Sequence, residues 1–187
     1  MSSLLLASAG SSAEGMSAIT AQNFAPRMFT TFCLNFHGDN QAMTALVDKL
    51  SVEKPSMAKR LNEKDRDKLF GADSKAAWLL LTNDAKPVFL SAGNKGFCEI
   101  LTVANLSEST NMFEAALKEY TEEQGLKLVF YDNSFFEKRT DIKGTAYSVQ
   151  YAKVNATLMI WTDVAVETKD PNSPVHMISF FRPNSAD

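Results

Sequence analysis

Two cysteines and two histidines carry the most distinctive chemistry in this chain: Cys33, His37, Cys98 and His176. Two thiolates and two imidazoles are a donor set that a tetrahedral zinc ion would accept. Cys33 and His37 are four residues apart, so a helix running through both would present them on one face. Cys98 and His176 stand alone, however, and completing the set would recruit every Cys and His in the chain, unlike any compact zinc motif. A Cys33–His37 catalytic dyad lacks a third residue to orient it. The sequence therefore assigns no metal and no catalytic residue. It reads His37 as a turn residue and His176 as part of a strand face. The cysteines have a simpler use. In an oxidising compartment Cys33 and Cys98 would pair, stapling an early helix to a central strand and stabilising the fold by on the order of 4 kcal/mol. In the cytosol they would remain reduced, as small buried apolar side chains.

Glu99 follows Cys98 inside the otherwise apolar run 96–103 and must meet water, a basic partner or a ligand. The wet face of a one-sided sheet accounts for it without any function. Asp132, Glu137, Asp141, Asp163 and Glu167 flank the late strand-like runs. A pair of them meeting across strands could do acid–base chemistry, but solvated loop ends are the simpler reading. Aromatic neighbours recur at Phe130-Tyr131, Phe135-Phe136 and Phe180-Phe181. Neighbours on a strand face opposite ways, so one of each pair can lie off the core. Phe135, Phe136 and Glu99 are accordingly the candidate binding surface. No Gly-rich phosphate loop, nucleophile elbow or His-Glu-x-x-His pattern occurs, and no cofactor is implied.

The elements that must position these residues follow from periodicity. Phe24, Met28, Phe29, Phe32 and Phe36 line one face of a helix over 23–36, capped by Asn23 and stopped at the turn 37–40. A second helix follows, with Ala42, Met43, Leu46, Val47 and Leu50 inward, so the two form a helical hairpin. Residues 51–75 are polar and sign-balanced, with a short helix expected from 56 to about 70 and Gly71 as its C-cap. The runs 76–81, 87–90 and 96–103 read as an antiparallel meander with turns at 83–86 and 91–96. A long helix over 108–124 starts at Ser107 or Ser109 and stops at Gly125, with Met112, Phe113, Ala116, Leu117 and Tyr120 on one face. Strands are expected at 126–131, 146–152, 157–166 and 175–181, with a hairpin loop at 170–174. This is an α+β fold: a mostly antiparallel sheet of six or seven strands against an N-terminal helical hairpin and one long helix.

The chain of 187 residues is long enough for a core of its own, and the sequence expects a single domain over 23–183. Residues 1–22 are rich in Ser, Ala and Gly; Leu4-Leu5-Leu6 followed by Ala7-Ser8-Ala9 reads either as a truncated export signal or as a disordered tail. Thirteen Phe against four Tyr and two Trp favours packing over a polar aromatic surface. A net charge of −3 argues against nucleic acid as a partner, and no apolar run is long enough for a membrane-spanning helix.

The early Thr31-Phe32-Cys33, the mid-chain Gly96-Phe97-Cys98 and the Tyr-rich late strands resemble those of small exported bacterial proteins. The resemblance covers about half the chain and brings no activity with it. It implies a periplasmic or secreted location, the alternative being cytoplasmic. The function expected is non-enzymatic: binding or interaction at the cell envelope or exterior, with a protein as one candidate partner. The alternative is a small hydrolase or metal-dependent enzyme using the Cys/His set or the strand-end carboxylates. A pocket joining His37 or His176 to a carboxylate would favour that second reading.

Overall fold

The structure, a computed structural model, describes residues 21–81, 87–152, 154–163 and 173–183. The first helix, α1 (Ala21–Met28), runs without a break into a π-helical turn, Phe29–Leu34. The wider turn is closed by Asn35 N–H donating to the carbonyl of Thr30, five residues back. Phe29, Phe32, Cys33 and Leu34 are all buried, three of them in succession, a broader buried arc than the single stripe of a one-sided helix. The segment then turns at His37 and Gly38, both at positive φ, and α2 (Asn40–Glu53) begins with the Asp39 carboxylate accepting from Ala42 N–H. The expected helical hairpin is present. On α2, only Met43 and Val47 are fully buried, with Leu50 packed beside them, while Ala42 and Leu46 are exposed.

The region expected as one helix from 56 to 70 is instead a short strand, β1 (Ala58–Arg60), followed by α3 (Glu63–Phe70). Tertiary pairing overrides the helical pattern here, because Ala58 lies opposite Leu80 and extends the sheet by a strand. Arg60, freed from a helix, ion-pairs with Asp48 and lies over Trp78, whose indole N–H donates to the same carboxylate. Asn62 caps α3 and Gly71, at φ 75°, ends it as expected.

Then come β2 (Ser74–Leu80), β3 (Val88–Gly93) and β4 (Cys98–Ala104), the expected meander. Helix α4 (Leu106–Glu123) leaves β4, capped by Asn105 rather than by either serine, and stops before Gly125 at φ 62°. A second meander follows: β5 (Lys127–Phe130), the one-turn helix α5 (Ser134–Glu137), β6 (Ile142–Gln150), β7 (Val154–Asp163) and β8 (Ser173–Pro183). The turn expected at 83–86 and most of the loop at 170–174 lie outside the described residues, as does all but the last part of the segment 1–22.

The eight strands form one sheet in the order β1-β2-β3-β4-β8-β7-β6-β5, antiparallel throughout. Among the described residues the count is eight, not six or seven, the additional strand being β1. Two four-stranded meanders therefore meet edge to edge at β4 and β8, and α4 carries the chain from the centre of the sheet to its far edge. Helices α1, α2 and α4 cover one face. There Trp78, Leu90, Ile100, Met177, Leu158, Ile160, Tyr147 and Val149 meet Phe29, Leu34, Met43, Phe113 and Leu117. Ring contacts run on from Phe29 to Phe113 (5.1 Å) and from Phe113 to Tyr147 (5.7 Å). The Cys33–Cys98 disulfide crosses this interface, tying the π turn to the first residue of β4 over 65 residues of chain. No helix among the described residues is long and apolar enough to cross a membrane.

Candidate functional site

Strand β8 outruns β4. The β4–β8 ladder ends at Cys98 opposite Ser179, whereas β8 stays paired with β7 as far as Pro183 opposite Val154. Residues 180–182 therefore project past the start of β4, and two turns sit against the overhang. One is His37-Gly38, at φ 49° and 82°; the other is Lys95-Gly96, at φ 53° and 75°. Each places a glycine where L-residues are strained. The two glycines also face each other: a Cβ on Gly96 would lie 3.2 Å from the Cα of Gly38, and one on Gly38 would lie 2.8 Å from Phe181 Cβ. The side-chain amide of Asn40 donates to the carbonyls of Gly93 (2.8 Å) and Phe97 (2.6 Å), fastening the helical hairpin to the β3–β4 turn. The disulfide lies next to this clasp, at the residue after Phe97.

The clasp holds open a cleft of about 700 Å³ lined by His37, Gly38, Lys95, Gly96, Val154, Phe180, Phe181 and Arg182. Its floor is apolar and aromatic. Phe180 meets Phe97 edge to face at 5.2 Å, and the His37 imidazole lies near-parallel to Phe181 at 6.4 Å. Behind His37, at 4.7 Å, is Tyr151, whose hydroxyl pairs with that of Tyr120 at 3.2 Å. Burial holds both phenols above their ordinary pKa. The charged groups at the cleft are Lys95 and Arg182; among the described residues no Asp or Glu lines it. Such a lining can bind and orient a molecule, and offers no acid–base pair.

The opposite face of the sheet carries a second constellation. Leu101 lies opposite His176, so Glu99, two residues earlier, is the diagonal neighbour of His176. Its Oε1 is 2.6 Å from His176 Nδ1. Trp161, directly opposite on β7, stacks on the imidazole at 5.2 Å with the planes 7° apart. Glu99 is only 5% exposed, so the reading of it as a wet-face residue is corrected. The reason is that both faces of β4 are covered, and the carboxylate's partner is a histidine 77 residues away that no local pattern reveals. Trp161 packs in turn on the cluster of Phe136, Ile142 and Ala146.

The sequence-derived residues thus fall in three places. Cys33 and Cys98 are bonded to each other, His37 lines the cleft, and His176 sits with Glu99 on the other face. The Cys/His set is therefore not brought together, and among the described residues no group of three or more His, Cys, Asp and Glu is placed to hold a metal ion. The aromatic pair divides. Phe136 is buried in the second-face cluster, while Phe135 is 51% exposed under the guanidinium of Arg139. Of the scattered carboxylates, Asp132 accepts from Ser134 N–H and Asp141 pairs with Arg139; both are held below the usual carboxylate range by these bonds. Sequence reasoning missed Lys95, Val154 and Arg182. It recognised both turns and the Phe180-Phe181 pair, but nothing local says that the two turns meet. No protein family, curated protein or solved structure matches this chain.

Proposed function

We propose that this is a binding protein of the cell envelope or exterior, and that the cleft at the β8 overhang is its ligand site. The observation that carries the reading is the cleft itself: about 700 Å³, with an apolar aromatic floor, two cations at its mouth, and a frame of two glycine turns, an asparagine clamp and a disulfide. Ligand sites are typically of this size, mostly apolar, with a few placed polar groups. A preformed frame lowers the ordering cost of binding. The disulfide supports a location outside the reducing cytosol, where such bonds persist.

The test is a fragment set of neutral, cationic and anionic compounds, screened by ¹H–¹⁵N shift mapping on the disulfide-intact protein. The perturbed amides are expected to cluster at His37, Gly38, Gly96, Val154 and Phe180. Hits scattered over the surface, or none at these positions, would contradict the reading.

A hydrolytic reading is favoured by one observation, the Glu99–His176 pair, since a carboxylate on Nδ1 fixes an imidazole for proton transfer. Among the described residues no hydroxyl or thiol hydrogen-bonds to His176, which leaves the pair without a nucleophile. Ester or amide turnover that His176→Gln abolishes would reinstate that reading.

A further inference from the structure

We propose that the ligand of the cleft is a small aromatic carboxylate, its ring lying at the end of β8 against Phe181 and His37 and its carboxylate held by Arg182 and Lys95. This rests on the reading of the cleft as the ligand site. The chain is net acidic, at −3, yet its cleft gathers an ammonium, a guanidinium and an imidazole, and among the described residues no carboxylate lines it.

Among the described residues three of the other four arginines are matched, Arg60 with Asp48, Arg66 with Glu63 and Asp67, and Arg139 with Asp141, while Arg27 has no ion pair. Among the described residues neither Arg182 nor Lys95 has a carboxylate partner. A guanidinium presents a planar fork that matches a carboxylate with two parallel bonds, and an ammonium adds a point charge. Both side chains are exposed, and an anion seated in the cleft would pair with both.

The apolar body follows from the floor. Phe181 and His37 stack on each other, 21° from parallel, on the helix-covered face of β8, while Phe180 is held edge to face by Phe97 on the other. Rings prefer other rings in offset or edge-to-face geometry, so a flat aromatic body uses this floor better than a flexible chain, which would also lose rotamer freedom on binding. The glycine contact and the Asn40 clamp hold the two turns in place before any ligand arrives, so the site suits a rigid molecule.

The experiment uses 2-naphthoate as probe, with 2-naphthalenemethanol as its neutral analogue and octanoate as an aliphatic anion. Each is titrated into the disulfide-intact protein by calorimetry, with ¹H–¹⁵N shifts recorded in parallel. Naphthoate is expected to shift Gly38, Gly96 and Val154 and to bind about tenfold or more tightly than the alcohol, from its charge-assisted bonds. Arg182→Gln and Lys95→Gln are each expected to weaken naphthoate by about tenfold while leaving the alcohol unchanged. If the alcohol binds as tightly at the same amides, the anionic assignment is overturned and the cleft remains a ligand site. If octanoate binds more tightly there than naphthoate, the aromatic assignment is overturned. If no probe shifts those amides, both the inference and the reading beneath it fall.

Discussion

Glu99 is buried in a central strand among apolar neighbours, and His176 makes that possible by donating to its carboxylate and stacking beneath Trp161. Removing one member of such a pair costs more than the pair itself contributes, because it strands a buried charge. His176→Leu is therefore expected to lower unfolding stability by about 3 kcal/mol, while His176→Gln, which retains a donor, should cost less than half of that. Urea denaturation of the two variants measures the difference; equal losses would show that the hydrogen bond is not what matters. A second residue-scale constraint is Gly144 on β6. A Cβ there would lie 2.3 Å from the carbonyl of Ile160 and 2.7 Å from the ring of Phe136, so only glycine lets α5 lay Phe136 against the sheet. Gly144→Ala is expected to destabilise by about 1–3 kcal/mol through overpacking, read in the same assay.

Elements show where local reasoning held and where it stopped. The helical hairpin, the α4 stripe and the first meander were legible because each depends on period and on caps within a few residues. Gly71 and Gly125 end their helices as their positions suggest. The helix expected through 56–70 was wrong in its first half, since the edge of β2 recruits 58–60 as a strand and a tertiary partner outweighs a weak local preference. The cleft was illegible for a related reason. His37-Gly38 and Lys95-Gly96 each read as a turn, but their contact depends on β8 outrunning β4, a register fact with no local signature.

The layer of tyrosines between α4 and the sheet gives a pH prediction. Tyr120, Tyr147 and Tyr151 are held above the ordinary phenol value near 10 chiefly by burial, with Glu114 beside Tyr147 and the Tyr120 hydroxyl beside Tyr151 adding to it. Above that pH the unfolded chain sheds protons that the folded one retains, so stability is full below about pH 10 and falls as pH rises. Tyr147→Phe together with Tyr151→Phe should flatten this alkaline loss in denaturation curves taken from pH 8 to 11; an unchanged slope would contradict it.

For the whole molecule, two meanders joined at β4–β8 and roofed by three helices leave the disulfide as the one covalent cross-link between roof and sheet among the described residues. Replacing both cysteines by alanine is expected to cost about 2–5 kcal/mol, and hydrogen exchange should quicken first at the hydrogen-bonded clasp amides of His37, Asp39, Gly93 and Phe97. The account's central claim is that the space this frame encloses is where the protein binds. Val154 lines it from the end of β7, half-buried at the margin of the core, so Val154→Trp adds its bulk at the cleft. The most direct test is the affinity of this variant, by calorimetry, for whichever probe binds the native protein most tightly. The account predicts a loss of about tenfold or more with the unfolding midpoint unchanged. An unaltered affinity would place binding elsewhere and contradict it.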